Sequence, residues 1–157
     1  MVQMIKQLTQ DFTLPEFTYS QYAERHGINN APNDYELANI INITAPKTQK
    51  IRDLLNKPML ITSGYRCYSL NRAVGGSATS DHMSGLAIDF ISPRFGTPKE
   101  IAQFLQKHVQ EIGINQLIYE GTWVHVGFAG VGQKPKNEIL TAKFKNGKAE
   151  YSLGVAA

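Results

Sequence analysis

Apolar and polar positions alternate most cleanly in two short stretches. After Gly85, Leu86, Ile88 and Phe90 fall on one side while Ala87, Asp89 and Ile91 fall on the other. In Trp123–Phe128, Val124, Val126 and Phe128 share one side and Trp123, His125 and Gly127 the other. A period of two belongs to a strand, whose side chains point alternately to opposite faces. The chain therefore predicts two strands, each carrying one polar residue opposite its apolar set. Paired as neighbours, they would bring the Cβ atoms of Asp89 and His125 to roughly 4.5–5.5 Å.

Helical spacing occupies much of the remainder. Thr13-Leu14-Pro15-Glu16 has the form of a capping box, a hydroxyl at the cap and a carboxylate three positions on, and predicts a short helix. Ser20 offers a second start and Gly27 a stop. From Asn33, residues Leu37, Ile40, Ile41, Thr44, Thr48, Ile51, Leu54 and Leu55 recur near a helical period. Pro46 interrupts them, since its ring removes an amide donor and presses on the carbonyl four residues back, so a kink or two helices are expected. Met59–Thr62 reads as a short buried strand, and Ser63 to Ser84 as a long loop rich in Gly, Ser, Asn and Thr, a length that favours function. A second capping box, Thr97-Pro98-Lys99-Glu100, opens a helix with Ile101, Phe104, Leu105, Val109 and Ile112 on its apolar face and Gly113 just beyond it. Gln116–Tyr119 reads as a strand, Glu120-Gly121-Thr122 as a tight turn, and residues 138–152 as a hairpin turning at Asn146-Gly147. Residues 1–11 carry no pattern and read as a loose arm. Helices and antiparallel strands in this order predict an α+β fold, a small antiparallel sheet flanked by helices, in one domain over residues 1–157.

Bulk properties narrow the function classes. The 157 residues suit one hydrophobic core. No apolar run approaches the 18 or so residues that span a bilayer. The N-terminus lacks a basic stretch followed by an apolar one, so synthesis in the cytoplasm without a signal peptide is expected. A single cysteine, Cys67, excludes an internal disulfide, and nothing near it in sequence supplies the base a thiol nucleophile needs. The net charge of +3 attracts polyanions mildly, but the basic residues form no stripe, so nucleic-acid binding is unsupported. A monomer is expected.

The chemistry concentrates in Ser80–Phe90 and Trp123–Phe128. Asp89 is a carboxylate inside an apolar run, a costly position unless it meets a counter-charge, a metal or several hydrogen bonds. His82 can fold over from the preceding loop. Two histidines and one carboxylate with a fourth position left open make up the ligand set of a catalytic zinc site. The alternatives are a buried salt bridge for Asp89 and hydrogen-bonded core or surface roles for each histidine taken singly. His26 and His108 lie in helical stretches and read as surface residues. Arg66, just past a strand end, could clamp a carboxylate with its planar fork, or simply be solvated. Zinc would draw the pKa of a water toward about 7, leaving amide hydrolysis in need of a base and an oxyanion contact. Glu120, at the turn into the His125 strand, is the candidate base, with Asp81 as the alternative. Ser80 is a candidate hydrogen-bond donor to substrate.

The pattern Ser80-x-His82-x-x-Gly85-x-Ala87-x-Asp89, followed by Trp123-Val124-His125, resembles the signature of the zinc D-Ala-D-Ala carboxypeptidase family, and more narrowly its phage-encoded murein peptidases. Ile61-Thr62-Ser63-Gly64-Tyr65-Arg66, then Leu70-Asn71, and the opening Phe12-Thr13-Leu14-Pro15-Glu16-Phe17 are similar to the same group. The resemblance covers about residues 10 to 130. It implies the compact fold shared by the hedgehog signalling domain and these peptidases, a zinc ion on His82, Asp89 and His125, and Arg66 on the substrate side. It further implies a peptidoglycan stem peptide as substrate, cut at its terminal D-Ala-D-Ala bond or internally, and action at the wall or in the periplasm after holin-like release or from a virion. One departure stands out: several members of the wider family carry the catalytic glutamate three residues before the last histidine, where this chain has Thr122. The rival expectation is a non-catalytic zinc-bearing wall-binding or virion component that keeps the metal for stability.

Overall fold

A computed structural model of the chain describes residues 6–157. Its centre is a six-stranded sheet in the order β1-β2-β4-β3-β5-β6, built from β1 (Leu60–Ser63), β2 (Ala87–Ile91), β3 (Ile114–Tyr119), β4 (Val124–Phe128), β5 (Glu138–Lys145) and β6 (Lys148–Leu153). The fold is α+β, as expected. The two alternating stretches are adjacent antiparallel strands in which Asp89 pairs directly with His125. One face of the sheet turns Ile88, Phe90, Leu117, Val124, Val126 and Phe128 into the core, all essentially unexposed. Asp89 and His125 stand on the other face.

The helices form where capping chemistry and apolar spacing coincide. Leu14–Thr18 (α1) and Asp34–Asn39 (α3) both begin with reciprocal capping boxes, on Thr13 with Glu16 and on Asn33 with Glu36. Gln21–Arg25 (α2) starts at a Ser20 cap. The Pro46 interruption is resolved without a kinked break: α3 runs into a π-helical segment, Ile40–Thr44, and then into α4 (Ala45–Leu55), which ends at Asn56 in the left-handed conformation. Lys6–Asp11 is held rather than loose, because Gln7 bridges Thr13 and Gln49 contacts Thr9 and Asp11. The rest of the expected arm, residues 1–5, lies outside the described residues.

Four expectations are corrected. The strand expected over Met59–Thr62 does form, as β1, but it is not a buried one: it is the sheet edge, with Leu60 59% exposed. The Ser63–Ser84 loop contains α5 (Tyr68–Ala73), capped by the Cys67 sulfur, and a 3₁₀ turn at Asp81–Ser84. The helix from Thr97 splits into α6 (Pro98–Leu105) and α7 (Val109–Ile112), with His108 at the junction bonded to Glu111 at 2.8 Å. The sheet is not wholly antiparallel, since β5 runs parallel to β3 before turning back through Asn146-Gly147 into β6. Both turn residues have positive φ, 52° and 76°, the demand that Asn-Gly meets at low cost.

Candidate metal centre

Strand pairing places the first two donors and the 3₁₀ turn places the third. Asp89 and His125 are cross-strand partners. His82 enters from the Asp81–Ser84 turn, which Ser80 caps by accepting a hydrogen bond from the His82 amide and which closes through the left-handed Gly85. His82 Nε2 lies 3.2 Å, and His125 Nδ1 2.9 Å, from the same atom, Asp89 Oδ1. One donor atom from each of the three residues falls within 4.8 Å of the others, and all three residues are buried.

The protonation pattern indicates what belongs between them. His82 Nδ1 is 2.7 Å from the carbonyl oxygen of Gly64. A carbonyl only accepts, so Nδ1 carries the hydrogen and Nε2 of the neutral ring presents a lone pair. Burial pushes the His82 pKa down, outweighing the pull of Asp89. Burial would push Asp89 up, but the two imidazoles overcome it and hold the carboxyl well below its usual range. The bare nitrogen of His82 and the Asp89 carboxylate, also approached by His125 Nδ1, therefore stand together as electron-pair donors, an arrangement suited to a cation. Two imidazole nitrogens and one carboxylate oxygen match zinc in ligand type.

The Ser63–Arg66 segment supports this cluster residue by residue. The Ser63 hydroxyl accepts from Arg66 Nε at 3.2 Å. Gly64 offers its carbonyl to His82, and a Cβ there would fall 2.3 Å from the Phe17 carbonyl oxygen at the end of α1, so only glycine fits. The Tyr65 hydroxyl donates to Glu36 at 2.8 Å. Arg66 donates to Asn71 Oδ1 at 3.1 Å and reaches Asp89 Oδ2 at 3.5 Å. Its guanidinium is therefore held beside the His82–Asp89–His125 cluster. Asn71, 2% exposed, orients it. The Leu70-Asn71 resemblance pointed to this position without assigning it a role.

Glu120 and Asp81 both border the cluster. Burial pushes the Glu120 carboxyl up, His125 and Arg66 draw it down, and Asp89 adds to the rise. Glu120 is thus close enough to His125, Arg66 and Asp89 to feel their charges. Burial also raises Asp81, against the pull of His125 and His82. A Cβ on Gly127 would stand 3.0 Å from Asp81 Oδ2 and 3.7 Å from His125 Nε2, so both groups border Gly127. Ser80 lies at the rim, its oxygen occupied by the His82 amide. Cys67 serves as a helix cap and His26 is exposed at the end of α2. A cleft of about 360 Å³ opens beside Arg66, walled by Tyr19, Tyr22, Ser63, Tyr65 and Trp123. Among the described residues no helix is long and apolar enough to cross a membrane.

Residues 10–127 match the model of the family described as Peptidase M15. No curated protein matches the chain.

Proposed function

The chain belongs to the peptidase M15 family, and on that premise we propose that it is a zinc metallopeptidase hydrolysing an amide bond in peptidoglycan stem peptides, with His82, Asp89 and His125 as the metal ligands. The observation that carries this reading is the convergence of His82 Nε2 and His125 Nδ1 on Asp89 Oδ1, at 3.2 and 2.9 Å, with Nδ1 of His82 already committed to Gly64. A zinc ion held there supplies a water acidified toward pKa about 7 and a Lewis acid for the scissile carbonyl.

The chain's own groups supply the rest. Glu120 is the base, taking a proton from water and returning it to the leaving amine; burial raises its proton affinity toward the range such work requires. Asp81, which like His125 Nε2 borders Gly127, is assigned the orientation of that ring, a role carboxylates behind ligand histidines commonly take. Arg66, held by Ser63 and Asn71 and lining the cleft, meets a substrate carboxylate or the developing oxyanion there. Ser80 donates to the substrate peptide from its hydroxyl while its oxygen caps the turn. The phage-type lysis context, with synthesis in the cytoplasm and release to the wall, is the setting that the sequence resemblance favours.

Incubation of the zinc-loaded chain with purified murein tests the proposal. Cleavage of stem peptides is expected, abolished by Glu120→Gln with zinc retained. Zinc binding with no cleavage by the unmodified chain would favour the non-catalytic wall-binding alternative.

A further inference from the structure

The π-helical segment Ile40–Thr44 lies directly against the turn that carries His82. Asn39 Nδ2 donates to the Ser84 carbonyl at 2.9 Å and Thr44 Oγ1 to the Gly85 carbonyl at 2.6 Å. Both side chains are buried, 3% and 1% exposed. The contact is close along the backbone as well: a Cβ on Gly85 would come 2.8 Å from the Glu36 carbonyl oxygen and 3.0 Å from Ile40, and Gly85 also has φ +73°.

Asn39 and Thr44 are five positions apart. At α-helical pitch, about 100° per residue, they would stand about 140° apart around the axis and could not both reach one turn. A π turn closes on the fifth residue, as the Ala45 amide does here on the Ile40 carbonyl, and this brings Thr44 round to nearly the side of Asn39. Pro46 favours a departure from α-helical pitch here, because it has no N–H for the Asn42 carbonyl and its ring crowds that oxygen in a regular α-turn.

We propose that Asn39 and Thr44 are positioning residues for the metal centre, and that the Pro46-associated π turn exists to present them together to the backbone beyond His82. They touch no ligand atom. By fixing the carbonyls of Ser84 and Gly85 they set where the 3₁₀ turn ends and hence where His82 meets Asp89. The inference rests on the zinc reading above and adds a remote determinant of metal affinity to it.

Zinc dissociation constants, measured by competition with a chromogenic chelator, test it alongside thermal unfolding of the metal-free chain. Thr44→Val and Asn39→Ala are each expected to weaken zinc binding by about tenfold or more, the scale on which groups supporting metal ligands act, and Thr44→Ser to restore it. Ile101→Val, in the core away from the site, serves as the control, expected to lower stability and leave zinc affinity unchanged. Equal affinity in the Asn39 and Thr44 variants, or equal weakening in the control, would overturn the inference while the zinc reading stood. If Thr44→Val does not fold, the Asn39→Ala result decides. Failure of the unmodified chain to bind zinc would overturn both.

Discussion

His82 donates from Nδ1 to the carbonyl oxygen of Gly64 at 2.7 Å, and this one hydrogen bond determines which face of the ring is available. Gly64 is itself pinned, because the chain there runs so close to Phe17 that no side chain fits. The N-terminal helix, the edge strand and the 3₁₀ turn thus converge on a single imidazole, whose free nitrogen points at Asp89. A cation bound there would meet the His82 nitrogen and the Asp89 carboxylate together.

Zinc should therefore stabilise the fold markedly. A ligand that binds only the native state at 100 times its dissociation constant adds about 2.7 kcal/mol, which for a domain of this size raises Tm by roughly 5–11 °C. Scanning calorimetry with zinc and with excess chelator checks this, and coincident transitions would contradict it.

Glu120 and Asp81 have different assigned roles and should separate in kinetics. Glu120→Gln is expected to lower kcat by about 10²–10⁴-fold with zinc retained, as for loss of a general base. Asp81→Asn should weaken zinc by about tenfold or more and leave the zinc-saturated kcat within about tenfold of the unmodified chain. The reverse pattern would exchange the two assignments.

Two glycines that look alike in sequence should fail differently. Gly64→Ala places a Cβ 2.3 Å from backbone that cannot yield, and should destabilise by at least about 3 kcal/mol or prevent folding. At Gly76 a Cβ would meet the Asn71 amide oxygen at 2.1 Å and Arg66 Nη1 at 2.7 Å. Gly76→Ala should therefore displace the arginine, costing about 10–100-fold in kcat/KM, the worth of a charged hydrogen bond, with Tm less affected than in Gly64→Ala. Unfolding scans and kinetics on both variants decide the matter.

The metal-free chain should gain stability at neutral pH from Glu120→Gln. Burial raises the folded carboxyl above its ordinary 4.5, so in the window between the two values the unfolded chain binds fewer protons and stability falls as pH rises. Below about pH 4 both states are protonated and the penalty is absent. Glutamine carries no charge and escapes it. Thermal unfolding in chelator at pH 7 and pH 4 is expected to show an advantage for the variant only at pH 7; a variant less stable at pH 7 would contradict the burial argument.

Much of the site was legible because it rests on short-range rules. Alternation put Asp89 and His125 on one face, and direct pairing of their strands followed. Capping boxes at Thr13 and Thr97, and the Asn-Gly turn, are written in neighbouring residues. What escaped depends on distant partners or on weak local signals. The parallel pairing of β3 with β5 is a long-range choice that no local pattern encodes. Helix α5 is short and polar, with Leu70 and Asn71 its only buried residues. Pro46 announced an interruption, but that it takes the form of a π turn and not a kink is not written in the neighbouring residues. Arg66 read as solvated or clamping because its partners Ser63, Asn71 and Asp89 converge only in the folded chain.

Metal content of the purified chain, measured beside His82→Ala and His125→Ala, tests the central claim most directly. One zinc per chain, lost in each variant, is the predicted result. A metal-free protein after zinc loading, or variants that keep the ion, would contradict the assignment of His82, Asp89 and His125 as its ligands.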